Sequence, residues 1–185
     1  MGEILSKLIS SEILQQEMIF ISSILAPEKP LEFWYNTSML KKKKERRIMV
    51  FGTFDGLHKG HLNFFKQAKK LAQKSFLIVS IARDLNVFEI KKRFPAFREN
   101  ERVILVQKLI KSNLVNKVVL SGIKNYLPHI IKEHPDIIAL GYDQKAYVPN
   151  LKKDLKIKGL IVKIVRLKPY KEKIYKNQLL NRGYG

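Results

Sequence analysis

Five short apolar runs, at residues 48–51, 76–82, 118–120, 137–140 and 161–165, are separated by stretches whose apolar residues recur at helical spacing. The runs are near-continuous rather than alternating, which is the pattern of strands buried on both faces. Strand and helix in alternation predict one parallel sheet with helices on both sides, a doubly wound α/β architecture. At 185 residues the chain is long enough for one such domain with a real core.

The first crossover carries the chemistry. After the strand at 48–51 the chain reads Gly52-Thr53-Phe54-Asp55-Gly56-Leu57-His58-Lys59-Gly60-His61. Leu62, Phe65, Ala68 and Ala72, flanked by Phe64 and Leu71, then predict an amphipathic helix. His58 and His61 thus fall about one turn apart near a helix N-terminus, where unpaired N–H groups and the helix dipole favour anions. Gly52, Gly56 and Gly60 are expected to let phosphate oxygens approach the backbone closely. Imidazole donors added to bare amides suit a polyphosphate. The bland alternative, for either histidine alone, is a loop cap. A metal site is a weaker reading, since the chain has no cysteine and no third ligand stands nearby. For Asp55, fixing the turn is preferred to holding a metal.

The paired strings Gly52-Thr53-Phe54-Asp55 and His58-Lys59-Gly60-His61 resemble the signature of the nucleotidyltransferase superfamily, whose HxGH motif binds the nucleoside triphosphate. The resemblance runs from about Arg47 to about Tyr170, and within the superfamily the chain is similar to archaeal-type FAD synthases and to glycerol-3-phosphate cytidylyltransferases. It implies a Rossmann-like five-stranded parallel sheet of order 3-2-1-4-5. It also implies a reaction in which an acceptor phosphate attacks the α-phosphorus of ATP or CTP. His58 and His61 are then the catalytic pair, and Gly52, Thr53, Phe54, Lys59 and Gly60 complete the nucleotide site around them. On spacing alone Gly141-Tyr142-Asp143-Gln144 is a turn. Its likeness to the synthases assigns Asp143 to the ATP site and favours adenylyl over cytidylyl transfer. Arg166 and Tyr170 match the last nucleotide-contacting segment. One departure follows: where relatives carry a Ser/Thr-rich string, residues 174–178 read Ile-Tyr-Lys-Asn-Gln.

FMN is the acceptor that the resemblance implies, with FAD and pyrophosphate as products. The alternatives are CTP-dependent transfer to glycerol 3-phosphate or a similar ester, and a protein that keeps the fold to bind nucleotide or nucleic acid without the reaction. Mg²⁺ is expected to arrive with the triphosphate, and no carboxylate cluster marks a protein-borne cage.

The run at 76–82 ends at Arg83-Asp84, where a loop is expected to carry Lys91, Lys92 and Arg93. It leaves the carboxyl end of a parallel strand, where open α/β sheets bind ligands. These cations either reach a phosphate or stay solvated. Lys91 and Lys92, with Asp55 and Arg98, are the candidate contacts to the acceptor. Arg98-Glu99-Asn100-Glu101-Arg102 opens the next helix with acids at its positive end. Arg98 and Arg102 read as substrate contacts or as salt links.

With 36 Lys+Arg against 16 Asp+Glu, the net charge is +20. That balance favours polyanionic partners, but lysine is spread through nearly every segment, so nucleic acid is not the preferred partner. The lack of cysteine excludes disulfides. No apolar run approaches the ~20 residues of a membrane span, and a cytoplasmic protein is expected. Residues 1–46 are set apart as a helical extension and basic linker, and 47–185 as the catalytic domain. Ile4, Leu5, Leu8, Ile9, Leu14, Ile21 and Leu25 sit mostly at helical spacing until Pro27 and Pro30. Glu3, Lys7, Glu12 and Glu17 interrupt them, unlike a secretion signal. A helix or hairpin docked on the domain or on a second copy, giving a homodimer, is preferred to contact of 18–25 with a membrane surface. Residues 31–40, with Phe33, Trp34 and Tyr35, are expected to bury aromatic area. Lys41 to Arg47 read as a solvated linker ahead of a nucleic-acid or nuclear-targeting element.

Overall fold

The computed structural model describes residues 44–123, 125–144 and 148–171, together with Glu17, Phe20, Ile21 and Ile24. The chain divides into two compact units, Met1–Lys44 and Glu45–Gly185. In the first, Glu17, Phe20, Ile21 and Ile24 are helical, and the three apolar ones are exposed. The expectations for residues 31–40, for Lys41, Lys42 and Lys43, and for 174–178 lie outside the described residues.

In the second unit β1 (Arg46–Gly52) leads to α1 (Lys59–Lys69), β2 (Ser75–Ile81), α2 (Asp84–Lys91) and α3 (Glu99–Gln107), which a 3-10 turn (Lys108–Ile110) prolongs. Then come β3 (Lys117–Leu120), α4 (Leu127–Glu133), β4 (Ile137–Leu140), α5 (Val148–Ile157) and β5 (Lys163–Arg166). Every neighbouring pair is parallel and the strand order is β3-β2-β1-β4-β5, as expected. Successive strand residues point to opposite faces. Ile48 and Val50 therefore pack with Leu77, Val79 and Ile81 against Phe65 and Ala68 of α1 and Val106 of α3. Met49 turns the other way with Ile78, Ile138 and Leu140, towards Ile130 of α4 and Leu151 and Leu155 of α5. Each such side chain stabilises the fold by roughly 1.5–3 kcal/mol relative to exposure. The winding direction reverses between β1 and β4, so their carboxyl ends part into a crevice, the position at which open sheets bind ligands.

Three expectations are corrected. Arg46 and Arg47 belong to β1 rather than to a linker. Arg46 sits 2.9 Å from Asp136, and Arg47 lies 3.3 Å from Glu133, whose carboxylate also meets Lys117 at 2.7 Å. Glu133 is buried, and a buried carboxylate requires such cations. Residues 84–91 form α2 rather than a loop. Asp84 in its first turn and Lys91 in its last complement the helix dipole, and Lys92 closes it in the left-handed region at φ 56°. Only Val87 of this helix is buried, so no apolar stripe announces it. β5 begins two residues later than expected, because Ile161 is 87 % exposed and the ladder to β4 starts at Lys163.

Candidate active site

The turn after β1 is held open by a phenylalanine. Phe54 has φ 52° and a side chain only 3 % exposed. A Cβ on Gly52 would lie 2.6–2.9 Å from the Phe54 ring. Gly52 is thus required by packing, a reason separate from the expected approach of phosphate to its backbone. Phe54 can meet a ligand only through its backbone. The left-handed conformation costs a non-glycine residue about 1 kcal/mol or more, and burial of the ring offsets it. Gly56, at φ 75°, supplies a second left-handed residue where glycine carries no such cost.

His58 is the N-cap of α1, and its Nδ1 accepts from the Gly60 N–H at 3.1 Å. A nitrogen that accepts carries no proton, so the neutral ring of His58 has its hydrogen on Nε2. His61 stacks on it with ring centroids 3.7 Å apart and meets the Phe54 ring edge-on at 5.1 Å. Burial first, then the facing His58, lower the His61 pKa to about 3; a backbone hydrogen bond at Gly56 opposes the shift and Lys91 adds to it. His61 is therefore neutral at physiological pH. Among the described side chains, its Nδ1 is the buried polar atom without a hydrogen-bond partner. Such an atom costs stability unless a ligand completes it.

Lys91 reaches back from the end of α2 to donate to the Thr53 hydroxyl at 3.1 Å. Burial, then Arg93, hold its ammonium below the ordinary lysine range, while Asp55 and Asp143 pull it up. Thr53, His61, Lys91, Asp55 and Asp143 thus share one electrostatic neighbourhood, which joins the ends of β1 and β4. Asp55 reaches across to a distant segment. Its carboxylate accepts from the Ala96 and Phe97 N–H groups, both at 2.9 Å, and pins the 92–98 loop over the motif. Lys59 is the exposed first residue of α1. The backbone of Lys92 closes α2, and Arg98 donates its N–H to Glu101 at 2.7 Å at the start of α3.

Two arginines and a glutamine fix the frame. Arg102 is fully buried and donates to the carbonyls of Thr53, Ala82 and Phe97 and to the Asp84 carboxylate. This assigns it a structural link rather than a substrate contact. Arg166 donates to the carbonyls of Gly141, Tyr142 and Gln144. Gln144 accepts from the Gly141 N–H and donates to the Phe51 carbonyl, both at 2.7 Å, so it stitches the β4 turn to β1. The segment holding half-buried Tyr170 runs beside α1, where Gln67 exchanges hydrogen bonds with the Lys168 backbone at 3.1 and 3.2 Å. The salt link expected as one reading of Arg102 is present with Asp84, whereas its carbonyl bonds and the Gln144 clamp were missed by reasoning from the sequence. A glutamine three residues after a strand-end glycine was the available signal for the second.

The strand-to-helix turn bears stacked histidines at a topological switch point, and residues 49–178 match the family described as Cytidylyltransferase-like. The chain belongs to the cytidylyltransferase-like family. It is 45% identical over 123 residues to an FAD synthase of Korarchaeum cryptofilum, covering 66% of this chain and 81% of that protein. It is 42% identical over 126 residues to an FAD synthase of Methanosarcina mazei, covering 68% and 79%. Among solved structures it is similar to the lipopolysaccharide core biosynthesis protein of Thermoplasma volcanium, with a TM-score of 0.60 and 37% identity over 68% of this chain and 98% of that one. Among the described residues no helix is long and apolar enough to cross a membrane.

Proposed function

We propose that this chain is an FAD synthase, transferring AMP from ATP to FMN with release of pyrophosphate. The observation that carries this reading is the stacked His58–His61 pair at the N-terminus of α1, in a chain 45% identical to an FAD synthase. A terminal phosphate oxygen of FMN attacks the α-phosphorus of ATP in line. A new P–O–P bridge forms, the α–β bridging bond breaks, and pyrophosphate leaves with the electron pair. The FMN phosphate is largely deprotonated near neutrality, so no general base is needed. What the transfer requires is alignment and donors for the spreading negative charge.

His58 presents its Nε2–H to the phosphates. His61 adds a hydrogen-bonding group that carries no charge, so two stacked rings never become adjacent cations. Backbone N–H groups near Thr53 and Phe54 and the positive end of α1, whose first turn carries Gly60, complete the cradle. Lys59 adds a cation at its rim, and Asp143 accepts from the nucleotide, its turn held by Gln144 and Arg166, while Tyr170 flanks α1. Lys91 and Lys92 face the acceptor phosphate from α2.

A divalent cation, which we take to be Mg²⁺, comes with the triphosphate. An ion brought by the triphosphate would need no dedicated protein cage, and among the described residues no three His, Cys, Asp or Glu side chains form one. When bound it neutralises phosphate charge. The same reading treats residues 1–46 as an accessory unit through which two copies pair, 47–185 as the catalytic unit, and the cytoplasm as its place of action.

The test is product analysis with ATP or CTP against FMN or glycerol 3-phosphate. FAD is expected from ATP and FMN alone. His61→Ala is expected to lower turnover about 100-fold, the loss typical of one preorganised donor, with the circular dichroism spectrum unchanged. A cytidylyl product without FAD, or a His61→Ala enzyme as fast as the parent, rejects the proposal.

A further inference from the structure

Helix α2 buries Val87 and turns most of its other apolar side chains outward. Leu85 is 59 % exposed, Phe88 41 %, Ile90 52 % and, beyond the helix, Phe94 is 58 % exposed. Exposed aromatics usually scatter singly, and a contiguous group marks a binding surface. These are contiguous: the left-handed Lys92 folds the chain back so that the Phe94 ring stacks on Phe88, centroids 4.7 Å apart and 22° from parallel. The two rings lie nearly face to face, so the pair offers solvent an outer ring face and the ring edges. Phe88 precedes Lys91 by three residues, so both lie on adjoining parts of the helix surface about one turn apart. The Lys91 ammonium is bonded to Thr53 within the motif turn. Asp55 then anchors the far end of the same loop through Ala96 and Phe97. The surface is therefore tied at both ends to the phosphate cradle and flanked by Lys91, Lys92 and Arg93.

The geometry points to a shelf for the isoalloxazine ring of the acceptor, which would extend the Phe88–Phe94 stack from an outer ring face, with Leu85 and Ile90 alongside. This inference rests on the reading of FMN as acceptor. Its grounds are shape and charge together. A planar tricycle gains by offset stacking on such a pair, and the cations beside it complement the phosphate at the other end of the same molecule. A phosphate ester with a small polar body has nothing to place there, so the shelf selects for flavin and contributes to KM rather than to the chemical step.

The experiment uses the full chain and compares Phe88→Ala, Phe94→Ala and the double variant with Phe88→Tyr and Phe94→Tyr. KM for FMN and for ATP, kcat and the quenching of FMN fluorescence on binding are read out for each. Each alanine variant is expected to raise KM for FMN about tenfold, in keeping with the loss of one aromatic stacking partner, with KM for ATP and kcat unchanged. Quenching is expected to be lost in the double variant and kept in the tyrosine variants. Wild-type FAD formation with an unmoved FMN KM in the alanine variants overturns the shelf alone. A fall in sedimentation mass in those variants, without a change in KM, assigns the surface to a second copy instead and overturns it too. Absence of FAD formation by the wild type rejects the acceptor reading beneath it.

Discussion

At the amino edge of the sheet, cations and carboxylates of the protein meet each other: Arg46 on Asp136, and Arg47 with Lys117 on Glu133. At the carboxyl edge the same residue types are used differently. Arg102 and Arg166 spend much of their donor capacity on backbone carbonyls, Lys91 bonds a neutral hydroxyl, and His61 keeps a buried nitrogen unpartnered. One edge is electrostatically closed, and its charges hold β1, β3 and α4 together. The other is closed in its framework and open at its centre. Complementarity that the protein withholds from itself is left for an anion.

The sharpest way to break this contrast is Arg102→Met. It removes a fully buried guanidinium, leaving the Asp84 carboxylate and the carbonyls of Thr53, Ala82 and Phe97 without those donors. A loss of about 3–5 kcal/mol in urea unfolding is expected, with activity falling alongside. Stability within about 1 kcal/mol of the parent would mean that Arg102 is no clamp. A smaller effect belongs to pH. The folded pKa of His61, about 3, lies below the ordinary imidazole value of 6.5, so the unfolded chain takes up the proton first as pH falls. Stability from this ring is full above about pH 6.5 and declines towards pH 3. The drop between pH 7 and pH 5 is about 2 kcal/mol. His61→Asn should lose that part of the slope in thermal melts at the two pH values; an unchanged slope would place the ring in water. The mildest is Glu133→Gln at the opposite edge. Its partners Arg47 and Lys117 are half-exposed, so water compensates them and the loss is about 1–2 kcal/mol. Activity per folded molecule should stay at the parent's level, and a tenfold fall would show that the two edges are coupled.

The strands were legible because a strand buried on both faces has no polar positions to blur it, as in Phe76 to Ile81, whereas their order came from the family resemblance. The motif histidines were legible because their placement is local. What escaped depends on distant partners. Arg102 sits in a string of charges that reads as a solvated helix start. Its burial follows from carbonyls at positions 53, 82 and 97, whose convergence only the folded chain provides. Helix α2 escaped because its outward face is apolar and its inward face small, the reverse of the usual pattern. The packing reason for Gly52 escaped as well, since the occupant of its missing side chain is a ring two residues away.

That ring has a thermodynamic consequence. With Phe54 wedged into the interior, the crossover between β1 and α1 has already lost its conformational freedom before any nucleotide arrives. The entropy of shaping the cradle is incurred once, during folding, and is not subtracted again from the affinity for each incoming triphosphate.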